Sequence, residues 1–112
     1  MSYKLIPTQK FRKQAKRLIK KFPSLKTDLA ELEKTLLANP TAGTSLGNNA
    51  YKVRVSVKSK GKGKSGGMRV ITFVITEDKE IYLLTIYDKS EMDSVDDKDL
   101  KVQINELRKK KE

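Results

Sequence analysis

The apolar residues of this chain change their spacing once, and that change constrains the fold more than any other feature. After Thr8, the residues Phe11, Ala15, Leu18, Ile19 and Phe22 recur on one helical stripe, while Lys10, Arg12, Lys13, Lys16, Arg17, Lys20 and Lys21 fill the other side. Pro23 stops the pattern. Ser24 stands where a helix N-cap belongs, and Leu25, Leu29, Leu32 and Leu36 form a second stripe ended by Asn39-Pro40. From Tyr51 the period becomes two: Tyr51, Val53, Val55 and Val57 alternate with Lys52, Arg54, Ser56 and Lys58. Two β-branched-rich runs follow, 69–76 and 81–87, joined by Glu77-Asp78-Lys79-Glu80, and these read as a hairpin of more fully buried strands.

Residues 3–6 fit a short edge strand ended by Pro7, which cannot donate a ladder hydrogen bond. Residues 41–49, rich in Gly, Asn, Thr and Ser, read as a loop. Leu100, Ile104 and Leu107 mark a last short helix beginning at Ser94 or Asp96. The expected order is β-α-α-β-β-β-α, an α+β fold in which a helical hairpin packs on a mostly antiparallel four-stranded sheet whose other face stays partly open. No repeat or linker divides residues 1–112, so a single domain is expected.

The chain contains neither Cys nor His, which excludes a disulfide framework, a Cys/His zinc site, a histidine general base and any nucleophile activated by histidine. Chemistry must run on Lys, Arg, Tyr and carboxylates. No apolar stretch approaches the roughly 20 residues of a membrane span, and the first residues lack the apolar region of a secretory signal, so the cytoplasm is the expected compartment and no membrane partner is expected.

The net charge of +11 is unevenly distributed. Residues 1–26 carry +9 and residues 51–70 carry +7, each without one acid, and acidic stretches separate them. The first block fits the solvated face of a helix. The second lies in strand and loop, where helical pairing cannot explain it, and suits a polyanion.

Within that second block lies Lys58-Ser59-Lys60-Gly61-Lys62-Gly63-Lys64-Ser65-Gly66-Gly67. Its formal G-x-G-x-x-G, at Gly61, Gly63 and Gly66, is followed by a strand, whereas a dinucleotide fingerprint requires a helix there. A P-loop would need glycine where Lys58 stands. Two readings remain open: a loop that follows a phosphate backbone, and a hairpin loop kept soluble by lysine.

Three stretches together, Tyr51-Lys52-Val53-Arg54, Ser59 through Gly67 continuing into Met68-Arg69-Val70-Ile71, and Tyr82-Leu83-Leu84-Thr85-Ile86-Tyr87-Asp88-Lys89-Ser90-Glu91, resemble the RelE/ParE superfamily of bacterial type II toxins, most of all its HigB-type RelE-like branch. The resemblance implies a cytoplasmic toxin that cleaves translated mRNA on the ribosome without metal or cofactor and is silenced by a cognate antitoxin. Carried over by position, it implies catalytic roles for Lys60, Lys62, Arg69 and Lys89, with Lys64 as a further member of the lysine group. Lys52, Arg54, Lys58, Lys64 and Tyr87 are the candidate RNA contacts, and for Lys52 and Arg54, on the polar face of their strand, plain solvation is the competing reading. Many relatives carry an aromatic shortly after the last strand. Here that region reads Met92-Asp93-Ser94, which leaves Tyr87 as the candidate in its place. A gyrase-inhibiting toxin of the ParE type and a non-catalytic RNA-binding module are the competing readings.

The residue types suit metal-free RNA cleavage. Attack by the 2′-hydroxyl requires a base, charge stabilisation of the phosphorane and an acid for the leaving 5′-oxygen. Crowded cations favour a neutral amine among the lysines, and Arg69 can fork onto phosphate oxygens.

Overall fold

The computed structural model describes residues 2–60, 67–92 and 94–111. Strand β1 (Lys4–Pro7) leads into helices α1 (Gln9–Lys21) and α2 (Leu25–Ala38), then strands β2 (Thr44–Gly47), β3 (Ala50–Val55), β4 (Met68–Ile75) and β5 (Glu80–Asp88), and finally helix α3 (Asp97–Lys111). A single 3-10 turn, Lys58–Lys60, follows β3. The strands form one sheet in the order β1-β5-β4-β3-β2, antiparallel except for β1 against β5.

Local chemistry sets the element ends. The Thr8 hydroxyl accepts from the Phe11 N–H at 3.2 Å and so caps α1, and Lys20 and Lys21 place cations against the carbonyl end of that helix. Asp96 caps α3, its carboxylate accepting from the Lys98 N–H at 2.8 Å. Ser24, expected to cap α2, does not: its backbone is already helical and its hydroxyl binds Asp28 and Ser59 instead.

The sheet has five strands rather than the expected four. Residues 41–49 contain β2, joined to β3 by the two-residue turn Asn48-Asn49, in which both φ angles are positive, 54° and 64°. Such a turn matches the twist of a hairpin, and asparagine tolerates it better than most residues.

The hairpin of α1 and α2 covers one face. Leu18, Leu25 and Leu36 are fully buried there against Val53, Val55, Val57, Met68, Val70 and Ile81. Burial of each leucine contributes about 1.5–3 kcal/mol. The opposite face, expected to stay partly open, is partly covered by α3: Leu100 and Ile104 join Ala50, Ile71, Phe73, Tyr82, Leu84 and Tyr87 in a second cluster. Arg108 lays its guanidinium 5.5 Å from the Phe73 ring centre, and Gln103 donates to the Leu84 carbonyl at 3.0 Å.

A bulge in β5 decides which side chains face where. Ile71 pairs with Thr85 but Thr72 with Leu83, so Leu84 has no partner on β4. The freed groups are satisfied by the helical hairpin. Thr8 donates its hydroxyl to the Leu83 and Leu84 carbonyls, and the Gln14 side-chain carbonyl accepts from the Thr85 hydroxyl at 2.7 Å and the Ile86 N–H at 3.1 Å. Past the bulge the alternation is reversed. Tyr87 therefore joins Tyr82 and Leu84 on the α3 side, and Asp88 turns toward the hairpin.

Candidate active site

The register places Arg54, Arg69 and Tyr87 directly opposite one another on β3, β4 and β5, a row across the sheet on the face that carries α3. Arg54 is exposed, whereas Arg69 and Tyr87 are only 4% and 5% exposed. Directly opposed like charges destabilise a sheet on their own, and an anion between two guanidiniums reverses the sign. The Arg69 guanidinium donates to the Met68 carbonyl at 3.2 Å, which holds its fork against the strand. The Tyr87 hydroxyl is buried with no hydrogen-bond partner among the described residues. Burial pushes its pKa up, Arg69 opposes that in part, and the net shift is upward, so at neutral pH the phenol is a proton-bearing donor.

A groove of about 620 Å³ between α2 and β3 is lined in part by Asp28, Glu31, Lys52, Arg54 and Lys58, although the β3 register turns the Lys52 and Arg54 side chains to the α3 face. Of the five expected RNA-contacting residues, Lys52, Arg54 and Tyr87 thus share the α3 face, and the Lys58 backbone is held to Asp28 on the hairpin side. Lys89 follows β5 directly, and its backbone N–H donates to the Gly67 carbonyl at 3.2 Å, so it sits beside the start of β4 and near Arg69 in sequence register. Lys62 and Lys64 lie outside the described residues.

Lys60 is placed apart from the row. Its ammonium donates to Asp88 at 2.5 Å and stands 5.0 Å from the centre of the Phe22 ring, on the side of the sheet that carries the hairpin. The side chains of this pair are 7% and 0% exposed. The same Asp88 oxygen accepts from the Ser90 N–H at 2.9 Å and the Ser90 hydroxyl at 2.8 Å. Burial raises the pKa of Asp88, but the bonds from Lys60 and Ser90 outweigh it and hold the carboxyl below its ordinary value.

Residues given no site role by the sequence therefore shape the region: Asp88, Asp28, Ser24 and Gln14. Asp28 carried a visible signal, since it falls three residues after Leu25 on the buried stripe of α2. Asp88 carried none, because its orientation follows from the bulge. Among the described residues no group of three or more Asp, Glu, His or Cys side chains is arranged to hold a metal ion, and no helix is long and apolar enough to cross a membrane.

The family model described as the RelE toxin of the RelE/RelB toxin–antitoxin system matches residues 3–110. The chain belongs to the RelE toxin family. Among solved structures, this RelE-family chain is similar to an arginine-to-alanine double mutant of the E. coli toxin RelE in the free state, with a TM-score of 0.61 and 19% identity over 83% of this chain and 90% of that one. That likeness is one of fold. RelE-family membership makes this a toxin-type protein of a toxin–antitoxin system, so an antitoxin partner is implied.

Proposed function

We propose that this RelE-family protein is a metal-independent endoribonuclease of the HigB-type branch that cuts translated mRNA on the ribosome. The observation that carries this reading is the cross-strand row of Arg54, Arg69 and Tyr87. It offers two guanidiniums for one phosphate and a neutral phenol next to them, the donor set that a developing phosphorane requires. In this reading the 2′-hydroxyl attacks the adjacent phosphorus, a loop lysine, Lys62 or Lys64, takes its proton, and the P–O5′ bond breaks. The products are a 2′,3′-cyclic phosphate and a 5′-hydroxyl, to which Lys89 delivers the proton. Lys52, on the same face of β3 as Arg54, guides the flanking backbone in this reading.

Arg69 and Tyr87 are covered in the free protein, so substrate entry must uncover them. Tyr87 shares its apolar cluster with Leu100 and Ile104 of α3, and this is the helix whose displacement would open the row. The cognate antitoxin is the expected protein partner, attracted by the basic surface.

Mapping RNA 5′ ends in a cell-free translation reaction tests the reading. New ends within translated messages, absent when ribosomes are omitted and absent with Arg69→Ala, support it. Intact messages accompanied by altered DNA supercoiling would instead identify a gyrase-directed toxin. Salt-dependent RNA binding without new ends would leave a binding module.

A further inference from the structure

The only two acidic side chains buried among the described residues, Asp28 and Asp88, both act on the same short piece of chain, the turn Lys58–Lys60 that precedes residues 61–66. Asp28 accepts from the Lys58 N–H at 3.3 Å and from the Ser24 hydroxyl at 2.9 Å. Ser24 in turn accepts from the Ser59 N–H at 2.8 Å, and its own N–H donates to the Ser59 hydroxyl at 3.3 Å. Asp88 then takes the Lys60 ammonium. Three consecutive residues are thus fastened to the body of the protein, two to the α1–α2 junction and one to the end of β5.

The far side of residues 61–66 is fastened to the same place. The Gly67 carbonyl accepts from the Lys89 N–H, and Asp88 faces Met68 in the β4–β5 register. Gly67 also lies so close to β3 that a Cβ there would stand 2.1 Å from the Val55 carbonyl oxygen, a contact that only glycine permits. Asp88 therefore stands between the two chain ends that flank residues 61–66, one position along the ladder from the pair of Arg69 and Tyr87.

We propose that Asp88 is a positioning residue, which through Lys60, Ser90 and the end of β5 fixes both flanks of residues 61–66 relative to Arg69, and that Lys60 serves as its partner rather than as an acid or base on the RNA. This rests on the endoribonuclease reading for its kinetic consequence, while its structural content stands without it. A cation whose charge is consumed by a buried carboxylate, on the face opposite the guanidinium row, is poorly placed to exchange protons with substrate. Its value lies in geometry. Misplacement of reacting groups by about 1 Å costs on the order of a hundredfold in rate.

The experiment uses the full chain and three variants: Asp88→Asn, Lys60→Met and Lys60→Arg. Hydrogen exchange reports on the anchor whatever the activity. With Asp88→Asn and with Lys60→Met, the amides of Lys60, Lys89 and Ser90 should exchange about tenfold faster or more, while Val70 and Ile86 in the sheet keep their protection. Lys60→Arg should restore slow exchange, since a guanidinium reaches the same carboxylate and keeps its charge. If Asp88→Asn does not fold, the two Lys60 variants decide the matter alone. Cleavage on programmed ribosomes supplies the second readout. Loss of the anchor should lower kcat by about tenfold to a hundredfold with KM within about twofold, and Lys60→Arg should recover most of it. Unchanged exchange in both disruptive variants overturns the anchor. Normal exchange in Lys60→Arg with kcat as low as in Lys60→Met overturns the positioning role, because arginine holds Asp88 but cannot act as a base. An inactive wild type that shows the predicted exchange pattern refutes the nuclease reading and leaves the anchor standing.

Discussion

On the hairpin side of the sheet the Lys60 ammonium meets a buried carboxylate, whereas on the opposite face Arg54 and Arg69 are set side by side across β3 and β4 with Tyr87 next in line. Both sets of cations belong to one acid-free stretch, residues 51–70. They end on opposite faces, and the acid that engages Lys60 comes from a distant part of the chain. A basic block is therefore not one structural unit: Lys60 is tied to a buried carboxylate on one face, and Arg54 and Arg69 stand on the other.

The comparison breaks most visibly at Asp88. Replacing it with asparagine leaves the Lys60 ammonium buried without its counter-charge and should cost about 3–5 kcal/mol of unfolding free energy, measured by urea titration. The loss should depend on pH with a definite sign. The folded Asp88 carboxyl lies below its ordinary value, so its contribution is present in full above the unfolded value and fades as pH falls toward the folded one. The gap between wild type and Asp88→Asn should be widest above about pH 4 and close below it. A gap that widens on acidification would contradict the pairing.

On the other face, Arg69→Ala removes a guanidinium from the proposed phosphate site and should lower cleavage by about a hundredfold to a thousandfold, read as single-turnover rate. Lys at the same position should recover only part, because an ammonium cannot fork onto two oxygens. Gln14→Ala sharpens the comparison by attacking the bulge that separates the faces. It strands the Thr85 hydroxyl and the Ile86 N–H, and about 1–3 kcal/mol of stability should be lost in thermal or urea unfolding. The smallest effect belongs to Arg17→Ala. Its 3.1 Å ion pair with Glu91 joins two exposed side chains, and unfolding measurements should register less than about 1 kcal/mol.

Much of the fold is legible from local periodicity. The stripes Phe11 to Phe22 and Leu25 to Leu36 and the alternation Tyr51 to Val57 each depend only on neighbours in sequence, and each forms the element its period implies. The strand at Thr44–Gly47 is too short and polar to announce itself, although Asn48-Asn49 was an available hairpin signal. The candidate site is less legible. Strict alternation from Tyr82 assigns Tyr87 to the hairpin side, and only the bulge at Leu84 brings it beside Arg69. That bulge depends on Thr8 and Gln14, more than seventy residues upstream, so no local pattern encodes it. A resemblance marked both Arg69 and Lys60, and only the fold shows that the two stand on opposite faces of the sheet.

One assay confronts the two faces directly: single-turnover cleavage of a defined message on programmed ribosomes by the wild type, Arg69→Ala and Lys60→Arg, with cut ends mapped. The account predicts that Arg69→Ala loses nearly all cleavage while Lys60→Arg stays within about threefold of wild type, since arginine preserves the contact with Asp88. Full activity in Arg69→Ala together with abolished activity in Lys60→Arg would contradict it, placing the chemistry on the lysine of the hairpin side and not on the guanidinium row.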